Sequence, residues 1–148
     1  MFEKKKHAIL MVEDNDSNHP LFIAAFEASG FIVTIVSLVD EHFVEEVARI
    51  KPDIISMDIM IATAGMEPSH DGLSSITLLK ADERTRDIPV IVLTSFFEES
   101  KVERAKQEGA VDFINLQGHS ISTIPKIFKH YLEDPKNYNP THPAFREQ

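Results

Sequence analysis

The segment Pro52-Asp53-Ile54-Ile55-Ser56-Met57-Asp58 (residues 52–58) joins a turn residue to a short apolar run that ends in an aspartate. Short apolar runs rich in β-branched residues and bounded by turn signals are typical of buried strands. Similar runs recur at Ala8–Val12, Ile32–Val36, Val90–Leu93 and Phe113–Leu116. The sequence therefore predicts five strands, and the run 54–57 is the third of them.

The segments between these runs carry apolar residues at helical spacing. Phe22 and Phe26 belong to one such pattern, which ends at Gly30, and similar patterns lie around residues 43–50, 73–80, 102–106 and 124–131. Strands that alternate with amphipathic helices form a parallel sheet covered on both faces, because the crossover helices bury both sides of each strand. With right-handed crossovers, the predicted fold class is α/β with a doubly wound, five-stranded parallel sheet.

The composition is that of a globular protein, since 43% of the 148 residues are hydrophobic and 26% are charged. A formal net charge of −9 argues against direct nucleic-acid binding, which requires basic side chains to neutralise phosphates. The chain has no cysteine, which excludes disulfides and thiolate chemistry. The apolar stretch at residues 8–12 is too short for a signal peptide or a membrane span, so we expect a cytoplasmic protein with no membrane partner.

One domain accounts for most of the chain. We predict that it spans residues 7–132, because the alternation of strands and helices ends there. Residues 133–148 contain three prolines and little apolar periodicity. This composition predicts an extended C-terminal tail or a linker.

Acidic residues follow two of the predicted strands. Glu13 and Asp14 come directly after the first strand and Asp58 after the third, while Thr94 follows the apolar run of the fourth. The carboxyl ends of parallel strands lie at one edge of a sheet, so these side chains are expected to converge. Carboxylates held together repel one another and favour a bound cation. Few carboxylates and no EF-hand loop favour Mg²⁺ over Ca²⁺.

Asp58 is the candidate nucleophile of this site. A carboxylate beside a metal ion can attack a phosphoryl group and form an acyl phosphate, and the Thr94 hydroxyl could stabilise the charge that develops. Taken singly, each of these residues is better explained as a helix cap or a turn residue. Their joint placement after separate strands favours the functional interpretation.

The chain resembles the receiver domain of two-component response regulators, from about Ala8 to Leu132. The resemblance rests on five motifs, which are AILMVEDN, PDIISMDIM, HDGL, PVIVLTS and GAVDFI. It implies the flavodoxin-like receiver fold with strand order 2-1-3-4-5. It also implies that a sensor histidine kinase or a phosphotransfer protein phosphorylates Asp58.

The same resemblance assigns roles to individual residues. Mg²⁺ would be held by Glu13, Asp14, Asp58 and the backbone carbonyl of Met60. Thr94 would be the switch hydroxyl, and Phe113 would occupy the aromatic switch position.

Two features depart from the family pattern. Leu116, followed by Gln117, stands where the family has a lysine that contacts the phosphoryl group, and His119 or Lys126 would have to replace that cation. The loop after Asp58 is about six residues longer than usual. This loop could be a lid over the acidic site, a docking element for a partner or a tolerated insertion.

The expected function is a stand-alone response regulator receiver that signals by contact with a downstream protein, and a homodimer is left open. The alternative is a degenerate receiver that docks to partners without phosphorylation, which Leu116 favours. A haloacid-dehalogenase-type phosphatase would need a second acid two residues after Asp58, where Met60 stands. No nucleotide-binding glycine loop or zinc-protease motif occurs in the sequence. We therefore expect a phosphoacceptor signalling domain rather than an enzyme.

Overall fold

The computed structural model describes residues 6–146, in which five strands and five helices alternate. The strands are β1 (His7–Val12), β2 (Phe31–Val36), β3 (Ile54–Met57), β4 (Val90–Thr94) and β5 (Asp112–Asn115). The helices are α1 (His19–Ala28), α2 (Phe43–Ile50), α3 (Gly72–Ala81), α4 (Glu99–Gln107) and α5 (Ile124–Glu133). No helix within residues 6–146 has both the length and the apolar character to cross a bilayer.

The five strands form one parallel sheet in the order β2-β1-β3-β4-β5. This arrangement confirms the predicted fold class and the strand order that the resemblance implies. The chain runs from β1 to one edge and then returns past β1 to build the other half of the sheet. The order therefore reverses between β1 and β3, where α/β sheets of this kind carry their functional groups.

Successive side chains of each strand enter two separate cores, because strand residues alternate between the faces of a sheet. On one face, Leu10 and Val12 pack with the buried residues of α2, α3 and α4. On the other face, Ile9 and Met11 pack with Phe22 and the other buried residues of α1 and α5. Burial on both faces explains why the strands appear in the sequence as continuous apolar runs.

The long loop that follows Asp58 is anchored to the connection between β2 and α2. Val39 donates its backbone N–H to the Ala62 carbonyl at 2.9 Å and accepts from the Ala64 N–H at 3.0 Å. Met66 packs against the core on the α2, α3 and α4 side of the sheet. These contacts tie the middle of the loop to the segment after β2 and to the core, which favours a structural insertion over a lid.

The segment after α5 is not the extended tail that its composition predicts. Residues 134–146 turn back over β5, where Asp112 accepts hydrogen bonds from Tyr138 and from the backbone of Thr141 and His142. Phe145 packs against the core. Periodicity did not reveal this packing, because single anchor residues and prolines without a regular spacing make the contacts. The domain boundary at residue 132 stays a prediction.

Candidate functional site

The strand register brings the ends of β1 and β3 together. Val12 lies opposite Met57, and the backbone N–H of Asp58 donates to the Val12 carbonyl at 3.1 Å. Glu13 likewise donates its backbone N–H to the Val36 carbonyl of β2 at 3.0 Å. Both acidic residues are therefore fixed by the sheet at the point where the strand order reverses.

Three carboxylates converge at this edge, as the sequence leads one to expect. Glu13, Asp14 and Asp58 each place one carboxylate oxygen within 4.8 Å of the others. Glu13 is 4% exposed and Asp58 is 9% exposed, whereas Asp14 is open to solvent. The cluster thus has two buried carboxylates, those of Glu13 and Asp58, and one exposed carboxylate, that of Asp14.

The electrostatics of the cluster are unfavourable for negative charge. Burial raises the pKa of Glu13 to about 7, and the nearby Asp58 carboxylate adds to this rise, although the Asn15 backbone N–H opposes it. Burial also raises the pKa of Asp58, against the opposing effect of the hydrogen bond from Thr94. A divalent cation would relieve this repulsion. The atoms that could bind a metal ion here are all carboxylate oxygens, so the residues present fit Mg²⁺.

Thr94 orients the carboxyl group of Asp58. Its hydroxyl donates to Asp58 Oδ1 at 2.7 Å, and the Ile59 backbone N–H donates to the same oxygen at 2.7 Å. Thr94 Oγ1 in turn accepts from the Phe96 backbone N–H at 3.1 Å. These bonds fix the plane of the carboxyl group and leave Oδ2 as the oxygen that the two donors do not engage.

Gly72 allows α3 to begin directly against the backbone of Asp58. A Cβ atom at this position would lie far inside the van der Waals contact distance to the Asp58 carbonyl oxygen. The Gly72 N–H donates to the Ile59 carbonyl at 2.8 Å. Asp71 caps the helix by accepting from the Ser74 N–H at 2.9 Å, as expected for a capping box. The HDGL motif therefore has a steric basis that the sequence alone does not show.

A cleft of about 170 Å³ opens above the cluster. Besides the acidic residues and Thr94, its lining contains Met60 and five further residues, which are Asn15, Asn18, Ser95, Phe96 and Leu116. The sequence interpretation missed the two asparagines, Ser95 and Phe96, because neutral residues beside strand ends carry no motif signal. Met60 lies at the predicted position, but none of residues 61–67 lines the cleft.

Leu116, which the resemblance places at the lysine position, lines the cleft. No lysine or arginine lines the cleft within the part of the chain that the structure describes. His119 contacts the Asn115 carbonyl through Nδ1 at 3.1 Å, and Lys126 lines a separate cleft beside residues 137–141. Neither residue replaces the missing cation in this conformation.

Phe113 does not line the cleft but lies in the core beneath it. It is 2% exposed and packs with Val92 on the face that carries α4. Thr94 lies two residues after Val92 and therefore points to the same face of the sheet. The two positions that the resemblance names as switch residues are thus diagonal neighbours on adjacent strands.

The sequence and the fold match known proteins over most of the chain. Residues 9–118 match the family model of the response regulator receiver domain. The chain is 34% identical over 127 residues to the polar-differentiation response regulator DivK of Brucella ovis, which covers 86% of this chain and 97% of that protein.

Two solved receiver domains from sensor histidine kinases are similar as well. The one from Pseudomonas aeruginosa, which has a magnesium ion coordinated in its active site cleft, is 27% identical with a TM-score of 0.70 and covers 87% of this chain and 99% of that chain. The one from Syntrophus aciditrophicus is 26% identical with a TM-score of 0.67 and covers 94% of this chain and 99% of that chain.

The matched region contains most of β1, all of β2 to β5 and the acidic cluster at the carboxyl ends of β1 and β3. The sequence motifs, the strand order and these relatives agree on one family. The chain therefore belongs to the response regulator receiver domain family of two-component signal transduction.

Proposed function

We propose that this receiver accepts a phosphoryl group on Asp58 and passes the signal by contact with a downstream protein. The observation that carries the proposal is the hydrogen bond from Thr94 to Asp58 inside a cluster of three carboxylates. This arrangement combines a nucleophile, a donor for developing charge and a cation site within one cleft. The donor of the phosphoryl group would be a sensor histidine kinase or a phosphotransfer protein.

In the transfer, a carboxylate oxygen of Asp58 forms a bond to phosphorus while the bond between phosphorus and the donor breaks. The donor leaves with that electron pair, and the product is an acyl phosphate. Mg²⁺ would be held by Glu13, Asp14, Asp58 and the Met60 carbonyl, and it would neutralise the charge of the phosphoryl oxygens. The Thr94 hydroxyl, which donates to Asp58 Oδ1, would donate to a phosphoryl oxygen once Asp58 is loaded.

The rival proposal of a docking module without phosphorylation is not favoured. Loss of chemistry would remove the selection for two buried carboxylates beside a third, which cost desolvation and repulsion. Glu13 and Asp58 are both retained and buried. We therefore propose a phosphoacceptor domain rather than an enzyme that turns over a substrate. We also propose that it acts in the cytoplasm.

Acetyl phosphate provides the test of phosphate acceptance. With Mg²⁺ present, the protein is expected to gain the mass of one phosphoryl group, because a small donor needs no kinase. Asp58→Asn is expected to show no gain. Asp53→Asn is the matched control, because Asp53 lies at the opposite end of β3 and bonds to the Ala8 N–H at 2.7 Å. Intact-mass spectrometry reads the result, and an unaltered protein that gains no mass would contradict the proposal.

A further inference from the structure

Residues 134–146, here called the strap, are anchored by a buried carboxylate at the start of β5. Asp112 is fully buried. Its side chain accepts from the Tyr138 hydroxyl, from the Thr141 N–H at 2.8 Å and from the His142 N–H at 3.2 Å. The N–H of its own neighbour Phe113 completes the set at 2.7 Å. Three of the four donors to this carboxylate thus come from the strap.

The strap also covers the aromatic residue of β5. The His142 ring meets Phe113 in an edge-to-face arrangement, with ring centroids 6.0 Å apart. Phe145 packs against the core that contains Phe113 and the buried α4 residues Val102 and Ala105. His142 and Phe145 of the strap therefore lie on the side of β5 that faces α4, where they cover the outer side of Phe113.

This contact lies one strand away from the acidic site. Thr94 bonds to Asp58, and Phe113 is its diagonal neighbour on the same face of the sheet. Any change at Asp58 that draws the Thr94 side chain toward the cleft changes the space beside Phe113. Because packed cores have discrete arrangements, a shift of Phe113 would disturb the His142 and Phe145 contacts.

The Asp112 anchor is polar, whereas the contact that His142 and Phe145 make over Phe113, here called the aromatic wedge, is apolar. Asp112 requires hydrogen-bond donors, since an unpaired buried carboxylate is costly. The surface above Phe113 favours contact with an aromatic side chain. A peptide with a hydroxyl, two backbone N–H groups and an aromatic side chain meets both needs. Residues 138–145 of this chain supply all of them.

We propose that the strap occupies a peptide-docking groove between α4 and β5, and that phosphoryl loading of Asp58 loosens it. The groove then becomes accessible to a partner only in the loaded state. This proposal rests on the proposed function, because the loosening is driven from Asp58. The strap is thus an intramolecular competitor for the surface through which the receiver signals.

Hydrogen exchange tests the proposal on the full chain, with Mg²⁺ and beryllofluoride as the phosphoryl mimic. The Thr141 and His142 amides donate to Asp112 and report strap release directly. We expect loading to speed their exchange by about 5-fold or more, which is the lower end of typical coupling between two sites. Asp58→Asn is expected to remove this response.

Tyr138→Phe tests the reverse direction of the coupling. Removal of the hydroxyl weakens the strap, so beryllofluoride binding should tighten by about 5-fold, because coupling between two sites is reciprocal. Tyr131→Phe is the matched control, since Tyr131 packs against the Tyr138 ring but contributes no hydrogen bond to Asp112 within residues 6–146. Phe145→Leu, which weakens the aromatic wedge, provides a second variant with the same expected direction.

The outcomes separate the two proposals. Beryllofluoride binding with unchanged exchange of the Thr141 and His142 amides overturns the strap and leaves phosphate acceptance intact. Equal beryllofluoride affinities for the protein, Tyr138→Phe and Phe145→Leu overturn the strap as well. Failure of the unaltered protein to bind beryllofluoride overturns the proposed function, and regulation of the strap falls with it.

Discussion

Replacement of Gly72 by alanine is expected to lower the free energy of unfolding by about 3 kcal/mol. The added methyl group would overlap the carbonyl oxygen of Asp58, and backbone atoms cannot rotate away as a flexible side chain can. Either α3 or the end of β3 must move. The movement would displace Asp58, the proposed phosphoacceptor, so phosphate acceptance should fall in the same variant. Urea denaturation measures the first effect and intact-mass spectrometry the second.

Gly118→Ala is the matched control for this prediction. A Cβ atom at Gly118 would have no neighbour within 4 Å, and the same methyl group should therefore change stability little. Equal stability of Gly72→Ala and Gly118→Ala would show that α3 does not begin against the Asp58 backbone as the structure describes.

The replacement Glu13→Gln is expected to act in opposite directions on metal binding and on stability. It removes one of three carboxylates, so Mg²⁺ affinity should fall by about 100-fold, at the upper end of the effects seen around metal sites. Without metal, the same change relieves repulsion between buried carboxylates and should raise the free energy of unfolding. Calorimetric titration with Mg²⁺ and denaturation in a chelator measure the two effects.

Glu27→Gln provides the control, because Glu27 is exposed on α1 and undergoes the same chemical replacement away from the cluster. Its Mg²⁺ affinity should match that of the unaltered protein. If Glu13→Gln also bound Mg²⁺ with unchanged affinity, the acidic cluster would not be the metal site.

Much of the site could be predicted because its position follows from the fold. Parallel strands bring their carboxyl ends to one edge, so the sequence predicts that Glu13, Asp14 and Asp58 meet there. Because all three side chains are carboxylates, a site for a divalent cation is predictable from the sequence as well. The role of Gly72 could not be derived in this way, since a close approach between α3 and β3 depends on how the loop between them packs.

The strap shows a second limit of sequence analysis. Asp112 looks like an ordinary polar residue at the start of a strand, and the three prolines after α5 are typical of an extended tail. The hydrogen bonds between Asp112 and the strap join residues that lie 26 to 30 positions apart in the chain. Such pairings leave no periodic pattern, so only the folded structure reveals them.

Leu116 has a different meaning once its surroundings are known. In the sequence, Leu116 stands at the position where the resemblance leads one to expect a lysine. In the structure it lines the acidic cleft, and no lysine or arginine of the described residues lines that cleft with it. In the proposed function, phosphate acceptance depends on the three carboxylates and Thr94, which meet at the cleft. The route from Asp58 to the surface would then run through Thr94 and Phe113 to the strap.

Chemical trapping of the acyl phosphate tests the central claim most directly. Borohydride reduces an aspartyl phosphate to homoserine, which peptide mapping by mass spectrometry assigns to a single position. After incubation with acetyl phosphate and Mg²⁺, we expect homoserine at position 58 and an unmodified aspartate at position 53. Homoserine at another aspartate, or none at position 58 under conditions in which the protein gains phosphoryl mass, would contradict the account.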